Sequence, residues 1–166
     1  MSFDVFFEAD DDESVEDVFL AFRVGAERYA VCVVHVLEIV RLREMSHVPR
    51  MPPAFAGVMN LRGQVVPVLD MQACFCLGET PRTDRTIIVV LENEGEHVGM
   101  MVEEVTEVLE LEASTMEPAR SARGTGGGLV RSVAQTRDEV YLVLDLPVLF
   151  DEAAGGEAVE TRRNQP

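Results

Sequence analysis

Punctuation narrows the fold more than any other feature of this chain. Between Val18 and Leu144 short apolar runs follow one another: Val18–Val24, Arg28–Val34, Val58–Leu61, Gln64–Leu69, Thr86–Leu91, His97–Val102, Thr106–Leu111, Leu129–Ala134 and Val140–Leu144. Turn signals separate them, among them Gly25-Ala26-Glu27, Pro49-Arg50-Met51-Pro52-Pro53, Gly78-Glu79-Thr80-Pro81 and Asn93-Glu94-Gly95. Runs of this length between such breaks predict an all-β sandwich or barrel. Helix is scarce, with three short candidates: His35–Val40, Met71–Leu77 with Asp70 as N-cap, and a final one near Leu146–Phe150. Ile87-Ile88-Val89-Val90-Leu91 is apolar at every position, so both faces of that strand need cover. Two small barrels sharing one apolar seam supply it. The first is expected over about residues 18–76 and the second over about 77–152, interleaved at their ends, with the last helix closing the seam.

The ends differ from this body. An acidic segment over 1–17 and a tail over 153–166 show no sustained apolar period and are expected to be disordered and solvated. The 166 residues carry 30 acids against 14 basic residues, every one of them Arg. A formal charge of −16 opposes binding to phosphate backbones and to anionic lipid surfaces, so neither nucleic acid nor direct membrane insertion is expected. The absence of Lys excludes Schiff-base chemistry and the lysine-dependent phosphate-binding loops. The opening residues carry acids where a secretion signal carries positive charge, no apolar run reaches the roughly 20 residues of a bilayer span, and the three cysteines form no disulfide framework. A cytoplasmic location is expected.

The most informative stretch is Gly57-Val58-Met59-Asn60-Leu61-Arg62-Gly63-Gln64-Val65-Val66-Pro67-Val68-Leu69-Asp70. Two glycines bracket a compact bend, and Gly63 suits backbone angles that a branched residue resists. Pro67 removes one ladder donor, which predicts a bulge or an edge position. Arg62 stands between Leu61 and Gly63, and a guanidinium beside apolar surface needs an acceptor; Glu38 is the candidate. This segment closely resembles the signature of the CheW family of chemotaxis coupling proteins. Phe19-Leu20-Ala21-Phe22 before Gly25 is similar to the family's opening strand and turn, and Val36-Leu37-Glu38-Ile39 to its short connecting helix. Val98-Gly99-Met100-Met101-Val102 with Val105-Thr106-Glu107-Val108-Leu109 resembles its second-lobe hairpin.

The resemblance implies two SH3-like, five-stranded β-barrel lobes with short connecting helices and a C-terminal helix. It implies a non-enzymatic adaptor, without cofactor or metal, between the cytoplasmic tips of methyl-accepting chemoreceptors and the regulatory domain of a CheA-type histidine kinase, in arrays at the inner membrane. Receptor tips are helical hairpins, so recognition would be helix-in-groove. By the resemblance, Val36, Glu38, Gly57, Arg62, Gly99, Val105 and Val108 face the receptor, and Arg41, Leu42 and Val48 the kinase. The chain departs from the family at Ser121–Gly128, where relatives carry apolar residues at a ring-closing edge. A glycine-rich stretch buries little and is costly to order, which fits a different ring geometry or a specialised pathway such as gliding motility.

The competing chemistry is a metal- or thiol-dependent sensor or enzyme using Cys32, Cys74, Cys76 and one of His35, His47 and His97. No motif supports it. Cys74 and Cys76 on a short helix point about 200° apart, and buried or half-buried thiols acting as small apolar groups are the simpler reading. Glu92-Asn93-Glu94-Gly95-Glu96 and Glu103-Glu104 lack the spacing of a calcium loop and read as solvated faces.

Overall fold

A computed structural model of the chain describes residues 17–119 and 128–154. The expectations for residues 1–16, for most of Ser121–Gly128 and for residues 155–166 lie outside the described residues. Among the described residues eleven strands form two sheets. The first contains β1 (Val18–Val24), β2 (Glu27–Cys32), β8 (Glu104–Glu110), β9 (Met116–Pro118), β10 (Val130–Gln135) and β11 (Val140–Leu144), in the order β8-β1-β2-β11-β10-β9. The second contains β3 (Val36–Arg41), β4 (Phe55–Leu61), β5 (Gln64–Asp70), β6 (Ile87–Asn93) and β7 (Glu96–Val102), in the order β3-β6-β7-β5-β4. The chain therefore opens in the first sheet, builds the whole second sheet, and returns. The sheets do not divide the chain near residue 76, and one has six strands where five were expected.

Strand β6 explains how the two sheets share a core. Its residues alternate with the pleat: Val89 and Leu91 enter a cluster with Leu20, Phe22 and Tyr29 of the first sheet, whereas Ile88 and Val90 enter a cluster with Val66, Val68 and Met101 inside the second. The continuous apolar run needs two covers and receives both. A third cluster, Phe19, Ala21, Ala30, Leu111, Ala134, Tyr141 and Val143, lies on the other face of the first sheet. Leu146, Leu149, Phe150 and Ala153 of a helix over 146–154 (α2) complete the shared seam. Ala153, expected to start a solvated tail, is thus buried in the helix that closes the core.

Both sheets curl around their inner clusters. On a flat sheet β8 and β11 would lie three spacings apart, about 14 Å, yet the Tyr141 hydroxyl of β11 donates to Glu107 Oε2 of β8. In the second sheet the outermost strands also meet. Ser46, just after β3, exchanges two backbone hydrogen bonds with Val58 of β4, at 2.8 and 2.9 Å.

Three local expectations need correction. Val36–Arg41 is a strand and not part of a helix; only a 3₁₀ turn over Val33–His35 precedes it. Its residues pair with Ile87–Leu91, so the partner strand overrides a local pattern too short to decide between helix and strand. Helix α1 spans only Met71–Cys74, because Cys76 takes a positive φ of 60° and ends it, although Asp70 caps it through the N–H groups of Gln72 and Ala73 as expected. Pro67 occupies an interior strand, neither an edge nor a bulge. Val58, opposite Pro67, turns its backbone to Ser46, and the ladder from β5 to β7 begins only at Val68, so the missing N–H falls where no partner waits.

Candidate functional site

The site begins at the β4–β5 hairpin. Arg62 and Gly63 have φ values of 55° and 86°, the positive pair that a two-residue turn needs to follow strand twist. Asn60 Oδ1 accepts from the Gly63 N–H at 3.0 Å, fixing the loop. The turn projects Arg62 across the open side of the second sheet toward β3. There Nη1 and Nη2 donate to Glu38 Oε2 and Oε1 at 2.8 and 3.1 Å, the bidentate form that matches a guanidinium to a carboxylate. The pair expected from sequence therefore exists. It joins the hairpin to the opposite outermost strand, with Arg62 74% exposed and Glu38 21% exposed.

Strands β3 and β8 are each the edge of a different sheet, and both turn residues toward the shared seam. Val36 and Ile39 pack against that seam, and so does Val105. On β8, Val105 and Val108 lie opposite Phe22 and Leu20, on the seam face, and Val108 remains 37% exposed. Ile39, Arg41, Ile87, Glu104 and Val105 line one depression of about 280 Å³ between the edges. The structure thus brings Val36, Val105 and Val108 to one seam, with Glu38 on the opposite face of β3, where it meets Arg62.

Gly57 and Gly99 belong to the scaffold beneath. A Cβ on Gly57 would lie 2.8 Å from the Ser46 carbonyl oxygen, and one on Gly99 2.8 Å from Ile88 Cγ2. Both are buried, so they permit close packing rather than present a surface. The three residues expected to meet the kinase separate. Arg41 lines the β3–β8 depression and Leu42 packs against the inner cluster of the second sheet. Val48 lines a larger apolar hollow of about 510 Å³ with Met51, Phe55, Val58, Pro67 and Phe150.

Sequence reasoning missed the acid network beside this seam. Glu103, expected on a solvated face, accepts from Arg23 Nη1 at 2.9 Å, the Gly25 N–H at 3.1 Å and Gln72 Nε2 at 2.9 Å. Glu104 meets Arg23 and Arg85, each at 3.4 Å. Asp70 does more than cap α1: it also accepts from the Thr80 N–H and, at 2.5 Å, from its hydroxyl, tying the 71–80 segment to the end of β5. The signals were the acids themselves, but their partners are 10 to 81 residues away in sequence. Two of the three thiols of the rival chemistry are placed poorly for it. Cys76 is exposed, against expectation, and Cys74 is half-buried with its thiol pushed up to about 12 by burial, then by Glu152 and Asp70, which opposes the thiolate that attack or metal ligation requires. Among the described residues no three His, Cys, Asp or Glu side chains are grouped to hold a metal ion, and no helix is long and apolar enough to cross a membrane.

The same residues carry a match to known proteins. The sequence model of the CheW-like domain fits residues 18–154. The chain is 33% identical over 107 residues to the chemotaxis protein CheW of Klebsiella aerogenes, covering 64% of each chain. It is 27% identical over 141 residues to that of Bacillus subtilis, covering 84% of this chain and 90% of the relative. Protein FrzA of Myxococcus xanthus is 39% identical over 75 residues, 45% of this chain and 47% of FrzA. The crystal structure of scaffolding protein TtCheW from Thermoanaerobacter tengcongensis is similar with a TM-score of 0.73 at 25% identity, over 78% of this chain and 89% of that one. With two sheets around one seam, the Arg62 hairpin and a family match all falling on the same stretch, the chain belongs to the CheW-like domain family.

Proposed function

We propose that this protein is a non-catalytic adaptor that couples the cytoplasmic tips of methyl-accepting chemoreceptors to the regulatory domain of a CheA-type histidine kinase, in chemotaxis or gliding motility, in cytoplasmic arrays at the inner membrane. The observation that carries the reading is the incompletely closed seam between β3 and β8, where two edge strands from different sheets leave aliphatic residues half-covered. A helix laid along such a cleft buries apolar surface without rearranging either sheet. Val36, Val105 and Val108 supply contact area, Arg62 and Glu38 fix the shape of the adjoining wall, and Gly57 and Gly99 hold the scaffold under it. Kinase docking falls to the end of β3 and the segment that follows it, where Arg41, Leu42 and Val48 lie. Curated relatives named as chemotaxis proteins and a neighbour titled as a scaffolding protein support the assignment.

An NMR titration with a receptor tip fragment and, separately, with the kinase regulatory domain tests it. The receptor fragment should shift amides of β3 and β8, and the kinase domain those around residues 41–48. Absence of binding to both at micromolar concentration overturns the reading.

A further inference from the structure

The link between Tyr141 and Glu107 does something the hydrophobic clusters alone do not. Glu107 of β8 lies opposite Ala21 of β1, Ala21 opposite Ala30 of β2, and Ala30 opposite Val143 of β11, so these four form a row across the first sheet. Tyr141 sits two residues before Val143 and therefore on the same face. In the row of Glu107 the two intervening strands present alanine methyls, both fully buried, and this low floor leaves room for the phenol ring, which starts one pair along opposite Arg28, to reach Glu107. Larger residues at 21 or 30 would block the path.

The target of that reach matters. Strand β8 is an edge, bonded to β1 alone, and its pairing shifts between Ala21 and Phe22, leaving Thr106 as the extra residue of a bulge. The ladder that holds β8 is one-sided and interrupted at this bulge, and a slip of one residue would exchange its two faces. Glu107 follows the bulge directly and lies, itself exposed, on the face that meets Tyr141, while Val105 and Val108 point to the seam. Resting on the receptor reading above, we infer that Tyr141 and Glu107 are a positioning pair: their hydrogen bond holds β8 beyond its bulge so that Val105 and Val108 stand where a receptor helix meets them.

The phenol is neutral at ordinary pH, so it donates and the carboxylate accepts. Glutamine keeps a carbonyl acceptor at position 107, whereas leucine keeps only the shape. Four full-length variants, Tyr141→Phe, Glu107→Leu, Glu107→Gln and Val108→Asp, are compared for affinity to a receptor tip fragment and for amide hydrogen exchange along β8. Tyr141→Phe and Glu107→Leu are expected to weaken binding about three- to tenfold, the scale of one charge-assisted hydrogen bond only partly expressed in binding. They should also speed exchange in β8 and leave β6 and β7 unchanged, while Glu107→Gln stays near the parent in both readouts. Parent-like affinity for Tyr141→Phe beside weakened binding by Val108→Asp overturns the positioning pair alone. Parent-like affinity for Val108→Asp overturns the cleft reading and this role with it. Unchanged β8 exchange in Tyr141→Phe and Glu107→Leu overturns the pin whatever the affinities.

Discussion

The two sheets of this protein close their curls by opposite means. The first uses a buried phenol that crosses two alanines inside the curl to bond Glu107. The second uses a guanidinium outside, on a hairpin tip, gripping Glu38 in view of solvent. Inside, the Tyr141 ring is packed in the cluster while its hydroxyl reaches a carboxylate on the exposed rim, so the bond ties β8 to a side chain that is itself held in place. Outside, water competes for both charges, and the pair contributes about 0–1 kcal/mol. A link that matters little to stability is free to be shaped by binding. The contrast fits the division proposed above, with Arg62 for recognition and Tyr141 for geometry.

The comparison holds only while both curls lean on the same seam, and the largest predicted effect removes it. Val89 is fully buried between the sheets, and Val89→Asp strands a carboxylate there, with an expected loss above about 4 kcal/mol. Denaturant unfolding should show both sheets failing together in one transition; a second sheet that melts while the first persists would separate the two curls energetically. A smaller loss is expected at Gly99, where a Cβ would lie 2.8 Å from Ile88 Cγ2, closer than packed side chains come, and 3.3 Å from Val68 Cγ2: about 1–3 kcal/mol, confined to the contacts of β7 with β6 and β5. If Gly99→Val is as stable as the parent but loses receptor binding, Gly99 belongs to the surface and not to the scaffold.

Arg62→Glu sharpens the contrast itself. It replaces an attraction at the rim by a repulsion with Glu38, and because Arg62 is largely exposed the melting temperature should fall by only a few degrees, matching about 1 kcal/mol. Receptor affinity should fall by more than that stability change implies, on the order of tenfold or greater. Equal losses in the two measurements would make the outer link as structural as the inner one.

How much of this was legible beforehand follows the range of the interactions. The double-faced run of β6 announced a seam because an apolar residue at every position has no other use in a strand. Arg62 found Glu38 because the glycine-bracketed bend placed the arginine and a guanidinium beside apolar surface needs a carboxylate. Strand β3 was misread as helix, since six residues carry too little period and its pairing with β6 lies about 50 residues on. Glu103 read as solvated because its three donors come from β1, the following turn and α1. Ala21 and Ala30 gave no warning at all: a small residue marks a gap only once the strands that flank it are known.

The smallest effect appears only in alkali, and there it can be credited to the inner link. Tyr141 is pushed up to about 12 by burial and by its bond to Glu107, Tyr29 to about 12 by burial with Glu27, and Cys74 to about 12 by burial first. These are the chain's only two tyrosines. A phenol whose folded pKa exceeds its unfolded value of about 10 keeps its full contribution below pH 10 and surrenders it as pH rises toward 12. In that window the folded state holds more protons, so stability declines with pH, by up to about 1.4 kcal/mol per unit for each group. Cys74 begins the decline near pH 9, and the tyrosines steepen it beyond 10. Denaturation midpoints from pH 8 to 11.5 should run parallel for the parent and Tyr141→Phe up to about pH 10 and then converge, because the variant lacks one titrating phenol. Curves that remain parallel to pH 11.5 would mean that Tyr141 ionises alike folded and unfolded, and that the bond across the alanine floor is no stronger than the one water offers.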